Sequence, residues 1–324
     1  MRLIRHCLAA CLAAALALPA AADPLAKDLF GAHALPAATA PASHGFYSRG
    51  CLAGGMAIAT DGPNWQAMRL SRNRRWGHPD MIRLVERLSR EAAQDGWPGL
   101  LVGDISQPRG GPMLSGHASH QIGLDADIWF TPMPDRRLSA REREEVSAVS
   151  MIAADSLKVD ERRWTPAHAA VLRRAAGYRE VERILVHPGI KQKLCETVTG
   201  DRSWLGKVRP FWGHDYHFHI RMSCPSGSPG CERQDPVARG DGCDASLAWW
   251  FTEEPWRPAT CPAEPRARDV MTMSALPRAC SAVLGAGDPV SEAAVTITGR
   301  EAPQRASGAA LPSAAPVPTP RPGG

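Results

Sequence analysis

The strongest constraint in this sequence is a short run that carries three histidines, His214, His217 and His219. Polar and apolar residues alternate over 217–222, and this period of two predicts a β-strand. Successive side chains of a strand point to opposite faces, so the imidazoles of His217 and His219 would project side by side while the apolar residues enter the core. Two imidazoles on one face, with a third just upstream, indicate part of a metal site.

A second segment upstream supplies the residues that such a site would still need. Apolar side chains alternate with Asp125 and Asp127 over 124–130, which predicts another strand with two carboxylates on one face. His117 and His120 lie in the loop that leads into this strand. Five of the 11 histidines therefore fall in two short segments that also carry aspartate, and this clustering favours metal binding.

The ligands that we expect are His120, Asp127 and His219, with a fourth position left open. Nitrogen and oxygen ligands around an open position are typical of catalytic zinc, whereas closed structural sites more often use thiolates. Asp125 is expected to be a partner of the ligands or a solvated carboxylate. The isolated histidines are expected to be structural or surface residues, namely His33, His44, His78, His168 and His187.

The first residues have the pattern of a secretory signal peptide. Arg2 and Arg5 precede an apolar run over 7–18, and small residues stand before Asp23. The run is too short to span a membrane, and no later stretch is long and apolar enough to do so. We therefore expect an exported, periplasmic protein from which residues 1–22 are removed.

The rest of the 324-residue chain has room for a large functional domain. With 44% hydrophobic and 22% charged residues, the composition allows an ordinary packed core. Residues 23–50 are rich in Ala, Pro and Gly and are predicted to be an extended lead-in. Residues 51–285 would hold the functional domain, and the Ala- and Pro-rich residues 286–324 are predicted to be a disordered tail.

Helices and strands are mixed along the domain without a clear strand–helix–strand rhythm. Helical patterns are predicted over 79–96, 140–154, 166–177 and 191–198, and further short strands over 99–105 and 181–187. Together with the two histidine-bearing segments, these elements predict an α+β fold. We expect an antiparallel sheet that carries the zinc site, helices packed on that sheet, and loops held by disulfides.

Nine cysteines are present, of which Cys7 and Cys11 would leave with the signal peptide. In an exported protein the others indicate disulfides rather than zinc ligands, and no Cys-x-x-Cys occurs. Cys224 and Cys231 bracket a turn-rich loop that a bridge would close easily. An odd number of cysteines leaves one thiol over, and composition alone does not say which.

Sequence motifs of other hydrolytic mechanisms are absent. Ser-x-x-Lys, Gly-x-Ser-x-Gly and His-Glu-x-x-His are all absent, so the sequence offers no recognisable serine nucleophile. The net charge of +5 is small and the basic residues form no aromatic-interleaved patch, so nucleic acid is not an expected partner. The arginine-rich stretch 69–75 is predicted to be a solvated loop rather than a binding patch.

The spacing His120-x6-Asp127, followed much later by His217-x-His219, resembles the signature of the lysostaphin and D-Ala-D-Ala-metallopeptidase group. That group shares a fold with the Hedgehog signalling domain. The resemblance is closer to the penicillin-insensitive murein endopeptidases, and it covers about 51–251 and, more loosely, the chain to Cys280. Four motifs carry it: Arg74-Arg-Trp-Gly-His-Pro-Asp80, Gly116-His-Ala-Ser-His-Gln121, Lys207-Val-Arg-Pro-Phe-Trp212 and Gly240-Asp-Gly-Cys243.

Carried over residue by residue, the resemblance implies zinc on His120, Asp127 and His219. It also implies that His217 is the catalytic histidine and that His214 assists. In the mechanism that we hypothesise, a protonated His214 helps zinc to hold the developing oxyanion. The implied substrates are cross-linked peptides of peptidoglycan, cut at D-alanyl-meso-diaminopimelate bonds. β-Lactams would have no serine to acylate.

The resemblance further implies a second metal site and a set of disulfides. Some members of the family bind a second metal at a dimer interface, and His117 and Asp155 match two of its ligands. Lys158 stands where a histidine would be expected, which leaves the second metal and a homodimer open. The implied bridges would leave Cys261 unpaired and are Cys51–Cys280, Cys195–Cys243 and Cys224–Cys231.

Three alternatives to a cross-link endopeptidase remain. The protein could trim D-Ala-D-Ala termini as a carboxypeptidase or dipeptidase. It could be a non-catalytic zinc-binding module of the Hedgehog-like fold, or a scaffold partner in cell-wall assembly that acts through its tail. If the protein is an enzyme, Arg109 or Arg221 is the residue expected to bind a substrate carboxylate.

Overall fold

The structure, a computed structural model, describes residues 23–258 and 265–298. The predicted signal peptide 1–22, the predicted unpaired Cys261 and the tail residues 299–324 lie outside the described residues. Helices and strands are mixed along the described chain, in line with the predicted α+β class.

The strands and helices have the following bounds. The strands are Ala42–Phe46 (β1), Arg49–Ala53 (β2), Met56–Ile58 (β3), Asp61–Gly62 (β4), Trp65–Ala67 (β5), Trp76–Gly77 (β6), Leu100–Val102 (β7), Asp125–Trp129 (β8), Val181–Val186 (β9), Val208–Pro210 (β10), His217–Met222 (β11) and Thr296–Ile297 (β12). The α-helices are Ala26–Gly31 (α1), Pro79–Gln94 (α2), Ala140–Glu145 (α3), Pro166–Gly177 (α4), Pro188–Thr197 (α5), Ala245–Ala248 (α6), Ala267–Val270 (α7) and Ala279–Gly285 (α8). Within the described ranges, no helix has both the length and the apolar character that crossing a membrane requires.

The largest sheet has seven strands in the order β10-β9-β11-β8-β7-β5-β4. Its central strands β9, β11, β8 and β7 pair antiparallel, as predicted. The prediction of a purely antiparallel sheet is wrong further out, because β9 pairs with β10 and β5 pairs with β7 in parallel. Parallel neighbours need a crossover connection, and helices α5 and α2 lie in the two connections concerned.

One face of the central strands forms the main hydrophobic core. Ile128 of β8 and Phe218 and Ile220 of β11 are fully buried in the same cluster as Leu84 of α2 and Leu172 of α4. Burying each such side chain stabilises the fold by roughly 1.5–3 kcal/mol. This burial fixes which face of β8 and β11 points inward, so the other face is left to their polar residues.

Two helices of the domain begin with the same His-Pro pair. The backbone N–H of Asp80 donates to His78 Nδ1 (3.2 Å) at the start of α2, where Pro79 occupies the first helical position. His187 and Pro188 repeat the arrangement at the start of α5. Proline suits this position because the first N–H groups of a helix have no partner within the helix. These two isolated histidines are therefore structural, as predicted.

The predicted extended lead-in over 23–50 is wrong, because this segment contains α1, β1 and the start of β2. The backbone N–H of Ala26 donates to the carbonyl of Met271 (2.8 Å), and Phe30 is fully buried. An Ala-, Pro- and Gly-rich segment thus becomes ordered because the C-terminal part of the domain covers it.

The tail is ordered further than predicted. Residues 286–298 are described and include β12, which pairs in parallel with β3. The Asp288 carboxylate accepts from Arg109 Nη2 (2.7 Å), and Glu292 forms an ion pair with Arg75. The predicted disorder over 286–324 is therefore wrong for its first part.

Helix α3 is shorter than the helix predicted over 140–154. Its capping box forms as expected, with the N–H of Glu142 donating to Ser139 Oγ (3.2 Å). The helix ends at Glu145, and the Met151 N–H donates instead to the carbonyl of Asp215 (2.7 Å). This tertiary hydrogen bond overrides local helical preference and brings the segment against the loop before β11.

The three disulfides implied by the family resemblance are all formed. They tie β2 to α8, α5 to the loop before α6, and the two ends of the loop after β11, through Cys51–Cys280, Cys195–Cys243 and Cys224–Cys231. The first bridge joins residues 229 positions apart, whereas the last joins residues 7 positions apart.

Removing the two bridges at the extremes of this range should have unequal effects on stability. In the chain-entropy model, the Cys51–Cys280 bridge stabilises the fold by about 5 kcal/mol and the Cys224–Cys231 bridge by about 2 kcal/mol. We expect the double variant Cys51→Ala/Cys280→Ala to lose clearly more free energy of unfolding than Cys224→Ala/Cys231→Ala. Equilibrium denaturation in urea measures both losses, and equal losses would contradict the prediction.

Candidate metal centre

The register of β8 and β11 places the candidate ligands opposite one another. Asp127 pairs directly with His219, and Asp125 pairs with Arg221 in the antiparallel ladder. All four side chains leave the face of the sheet opposite the hydrophobic core, because residues two apart on a strand share a face. The strand periodicity predicted for both segments is thereby confirmed.

Three imidazole nitrogens surround one oxygen of Asp127. The Oδ1 atom lies 3.2 Å from His219 Nδ1 and 3.4 Å from His120 Nε2. It also lies 3.5 Å from His217 Nε2. Ligand atoms held about 2.0–2.1 Å from a tetrahedral zinc ion lie about 3.3–3.4 Å from one another. The spacing of these atoms therefore fits a metal site.

Several buried polar atoms in this group have no hydrogen-bond partner within the described chain. They are His120 Nε2, Asp127 Oδ1 and both ring nitrogens of His217. Buried polar side-chain atoms in folded proteins are normally paired, because an unpaired one loses its hydration without compensation. A bound cation would satisfy these atoms, so the residues present fit a metal ion.

The protein anchors the other ring nitrogens of the candidate ligands His120 and His219. His120 Nδ1 donates to the carbonyl of Ile105 (2.6 Å), which turns Nε2 toward Asp127. His219 Nε2 donates to Asp125 Oδ1 (2.9 Å), which leaves Nδ1 facing Asp127. Such anchoring fixes the ring orientation of metal-bound histidines.

Asp125 is the carboxylate that organises the group. It is fully buried, accepts from Arg221 Nε (2.7 Å), and accepts from the backbone N–H of His120 (2.9 Å). The backbone of His120 has a left-handed φ of 68°, an unfavourable conformation for a residue with a side chain. Asp125 thus orients the candidate ligand His219 through its ring and the candidate ligand His120 through its backbone.

Opposite charges in this cluster stabilise the ionised forms of their neighbours. Although burial opposes ionisation, Arg221 and His219 hold the pKa of Asp125 far below its usual range. Burial would also lower the pKa of His120, but Asp127 and Asp125 raise that pKa to about 9. Burial also opposes ionisation of Asp127, but His217 and His120 hold its pKa well below its usual range. Both carboxylates are therefore ionised at neutral pH, which is the form that binds a cation.

His117 lies closer to the centre than expected. Its Nε2 is 3.1 Å from Asp104 Oδ2 and 3.4 Å from Asp127 Oδ2, and with His120 and Asp127 it forms a group that could hold a metal ion. The predicted second metal site of His117 and Asp155 stays a prediction. Within the described residues, no hydrogen bond or ion pair joins Asp155 to His117.

His214 sits at the edge of the group in a second left-handed conformation, with φ 57°. Its Nδ1 donates to the carbonyl of Trp212 (2.8 Å), and its ring centre lies 4.9 Å from that of His217. Burial and the neighbouring His219 and His217 lower the pKa of His214 to about 3. Burial thus disfavours the protonated ring that was expected, and the role of His214 stays a prediction.

A cleft of about 250 Å³ gives access to the group. Its lining includes Asp127 and His217 together with residues that sequence reasoning did not assign to the site: Arg69, Arg72, Gly103, Asp104, Trp129, Ser147, Ala148 and Tyr216. The signal for Asp104 is its place as a lone carboxylate two positions beyond the short apolar strand β7. A larger cavity of about 540 Å³ borders the loop of His214 but is lined by none of the candidate ligands.

Both arginines that were expected to bind a substrate carboxylate are instead hydrogen-bonded to other groups of the protein. Arg109 is fully buried and donates to the carbonyls of Val283 and Leu284. Arg221 is buried against Asp125. The stretch 69–75, which was expected to be a solvated loop, contributes Arg69 and Arg72 to the lining of the cleft, whereas Arg74 is buried.

The fold and the site define a disulfide-bridged α+β domain with a buried group of histidines and aspartates that could hold a metal ion. A family model described as penicillin-insensitive murein endopeptidase matches residues 43–285. The match begins within β1, ahead of the predicted domain start at 51. The chain belongs to this family, as the resemblance predicted.

Three relatives with the name penicillin-insensitive murein endopeptidase illustrate the likeness. The Haemophilus influenzae protein is 44% identical over 222 residues, which cover 68% of this chain and 77% of the relative. A Klebsiella pneumoniae protein is 39% identical over 271 residues, covering 84% of this chain and 96% of the relative. A Salmonella newport protein is 40% identical over 242 residues, which cover 75% of this chain and 85% of the relative.

Neutralising the organising carboxylate should weaken metal binding. We expect Asp125→Asn to lower the affinity for Zn²⁺ by about 10- to 100-fold, because the His219 ring loses its charged acceptor. Competition with a chromophoric chelator measures the affinity, and circular dichroism checks that the variant is folded. Asp95→Asn, at a surface carboxylate paired with Arg174, is the matched control and should bind as the unmodified protein does. Unchanged affinity in a folded Asp125→Asn variant would contradict the role of Asp125.

Proposed function

We propose that this protein is a zinc-dependent murein endopeptidase that hydrolyses D-alanyl-meso-diaminopimelate cross-links in peptidoglycan. The observation that carries the proposal is the convergence of three imidazole nitrogens on Asp127 Oδ1, within 3.5 Å, beside an open cleft. Relatives that are 39–44% identical bear the name of this activity. We include a Hedgehog-like fold in the proposal, supported by the antiparallel strands that carry the histidine–aspartate group.

His120, Asp127 and His219 are the proposed zinc ligands. His219 is preferred to His117 as the third, because its other ring nitrogen is anchored by Asp125 while His117 Nε2 already faces Asp104. A zinc ion held there would supply Lewis-acid chemistry, since zinc polarises carbonyl groups and lowers the pKa of water. Zinc suits two imidazoles and a carboxylate with one open position.

His217 is the proposed general base. It is buried, lines the cleft, and has no hydrogen-bond partner within the described chain for either ring nitrogen. Burial lowers its pKa, which keeps the ring neutral and able to accept a proton from an attacking water molecule. The same group can return that proton to the leaving amine.

His214 is proposed to assist as a neutral ring. Because Nδ1 donates to the carbonyl of Trp212, Nε2 carries a lone pair and can accept a hydrogen bond. We therefore propose that His214 holds or relays a proton rather than neutralising an oxyanion. Its fixed left-handed backbone keeps the ring against His217.

A periplasmic location is part of the proposal. Three disulfides favour an oxidising compartment, and the sequence of residues 1–22 has the pattern of a signal peptide. The substrate lies in the cell wall, so the enzyme has to be exported to reach it. No serine acyl-enzyme signature is present, which supports insensitivity to β-lactams.

The decisive assay incubates zinc-loaded protein with cross-linked muropeptide dimers in the presence of penicillin. We expect conversion of dimers to monomers, and we expect His217→Ala to lower kcat/KM by about 10²- to 10⁴-fold through loss of the general base. Chelated protein should be inactive until zinc is restored. Chromatography with mass spectrometry identifies the products.

Two controls make the assay specific. His33→Ala removes a histidine outside the site and should retain activity, while zinc binding by His217→Ala shows that the metal centre survives. Release of D-alanine from uncross-linked peptides, with dimers left intact, would identify a carboxypeptidase instead. Stoichiometric zinc binding without cleavage of any peptide would overturn the enzymatic proposal.

A further inference from the structure

One arginine of the cleft wall has unused hydrogen-bond donors. Arg72 Nη1 donates to Asp104 Oδ2 (3.2 Å), and this is its one side-chain hydrogen bond to the described part of the chain. Its side chain is 48% exposed although it lines the cleft beside Asp127 and His217. A guanidinium group has five N–H donors in a planar fork, so most of the donors of Arg72 are free to meet a ligand.

The position of this guanidinium is fixed by a buried carboxylate. Asp104 is only 3% exposed and also accepts from Arg74 Nη1 (3.0 Å) while contacting His117. Arg72 is thus connected through Asp104 and His117 to Asp127 Oδ2.

The neighbouring arginines do not share this freedom. Arg69 also lines the cleft, but its guanidinium donates to the carbonyls of Arg143 and Val146 and lies 5.6 Å from the ring centre of Trp129. Arg74 is buried behind Asp104. Of the guanidinium groups in this wall, Arg72 is the one whose donors and exposure suit a ligand.

The charge balance of the cleft favours an anion. Its two carboxylates, Asp104 and Asp127, are both engaged by cationic or metal-binding groups, while Arg69 and Arg72 carry positive charge on the wall. A divalent cation on Asp127 would make the region more positive still. Arginine binds a carboxylate with two parallel hydrogen bonds, which gives both affinity and orientation.

We propose that Arg72 binds a free carboxylate of the substrate and so selects peptides in which that carboxylate is unmodified. The inference rests on the proposed function. In a D-alanyl-meso-diaminopimelate cross-link, the carbon that bears the scissile nitrogen also bears a free carboxylate. A carboxylate therefore accompanies the bond to be cut, and Arg72 positions that bond in the cleft.

The test compares two substrates that differ in one group. Cross-linked muropeptide dimers are prepared with this diaminopimelate carboxylate either free or amidated. For the unmodified protein we expect KM to rise by about 10- to 100-fold on amidation, through loss of a charge-assisted hydrogen bond. Arg72→Gln should have the raised KM for both substrates, with kcat changed much less. Arg72→Lys, which keeps the charge but lacks the planar fork, should recover part of the discrimination.

A control and a binding measurement separate this inference from the proposed function. Arg141→Gln makes the same charge change at an exposed arginine paired with Glu145 and should discriminate as the unmodified protein does. Calorimetry measures binding of uncross-linked muropeptides, with the carboxylate free or amidated, to zinc-loaded protein and to Arg72→Gln.

Each outcome of these measurements decides one of the two proposals. Preference for the free carboxylate that disappears in Arg72→Gln supports the inference, even if no cross-link is cut and the proposed function fails. Arg72→Gln that still discriminates between the two forms, in cleavage or in binding, overturns the inference while leaving the endopeptidase activity intact. Equal binding of both forms to the unmodified protein also overturns it.

Discussion

The antiparallel pairing of β8 with β11 is the constraint on which the rest of the structure depends. A slip of one residue in a strand turns every side chain to the opposite face. Here the pairing that buries Ile128 and Phe218 is the same pairing that sets Asp127 opposite His219. The same register therefore builds the hydrophobic core on one face and the candidate metal centre on the other, and a slip of one residue would disrupt both.

The centre concentrates unfavourable features that the surrounding fold has to hold in place. Asp125 is a fully buried charge, and it is tolerable because Arg221, the His219 ring and a backbone N–H all satisfy it. His120 and His214 both adopt left-handed backbone conformations, which cost of order 1–3 kcal/mol for residues with side chains. Such strain persists where the packed structure around it fixes the geometry, and it is concentrated at functional sites.

The sequence predicts those parts of the site that lie on single strands. Alternation alone identified the shared face of His217 and His219, and that of the two aspartates. The sequence does not predict that Asp104 and Arg72 belong to the site, because they come from separate segments that only tertiary folding brings beside the candidate ligands. The ordering of 23–50 was missed for the same reason: its composition is that of a loop, and only distant residues near the C-terminus give it a packing surface.

The closure of the domain between its two ends has a consequence for the order in which the chain can mature. Ala26 bonds to Met271 and Cys51 is joined to Cys280, whereas every candidate metal ligand lies between 117 and 219. During synthesis the strands of the centre emerge well before the segment that covers the N-terminal helix. All candidate metal ligands are therefore synthesised before the segment that covers the first helix. The contacts that close the domain can form only after its last part has been made.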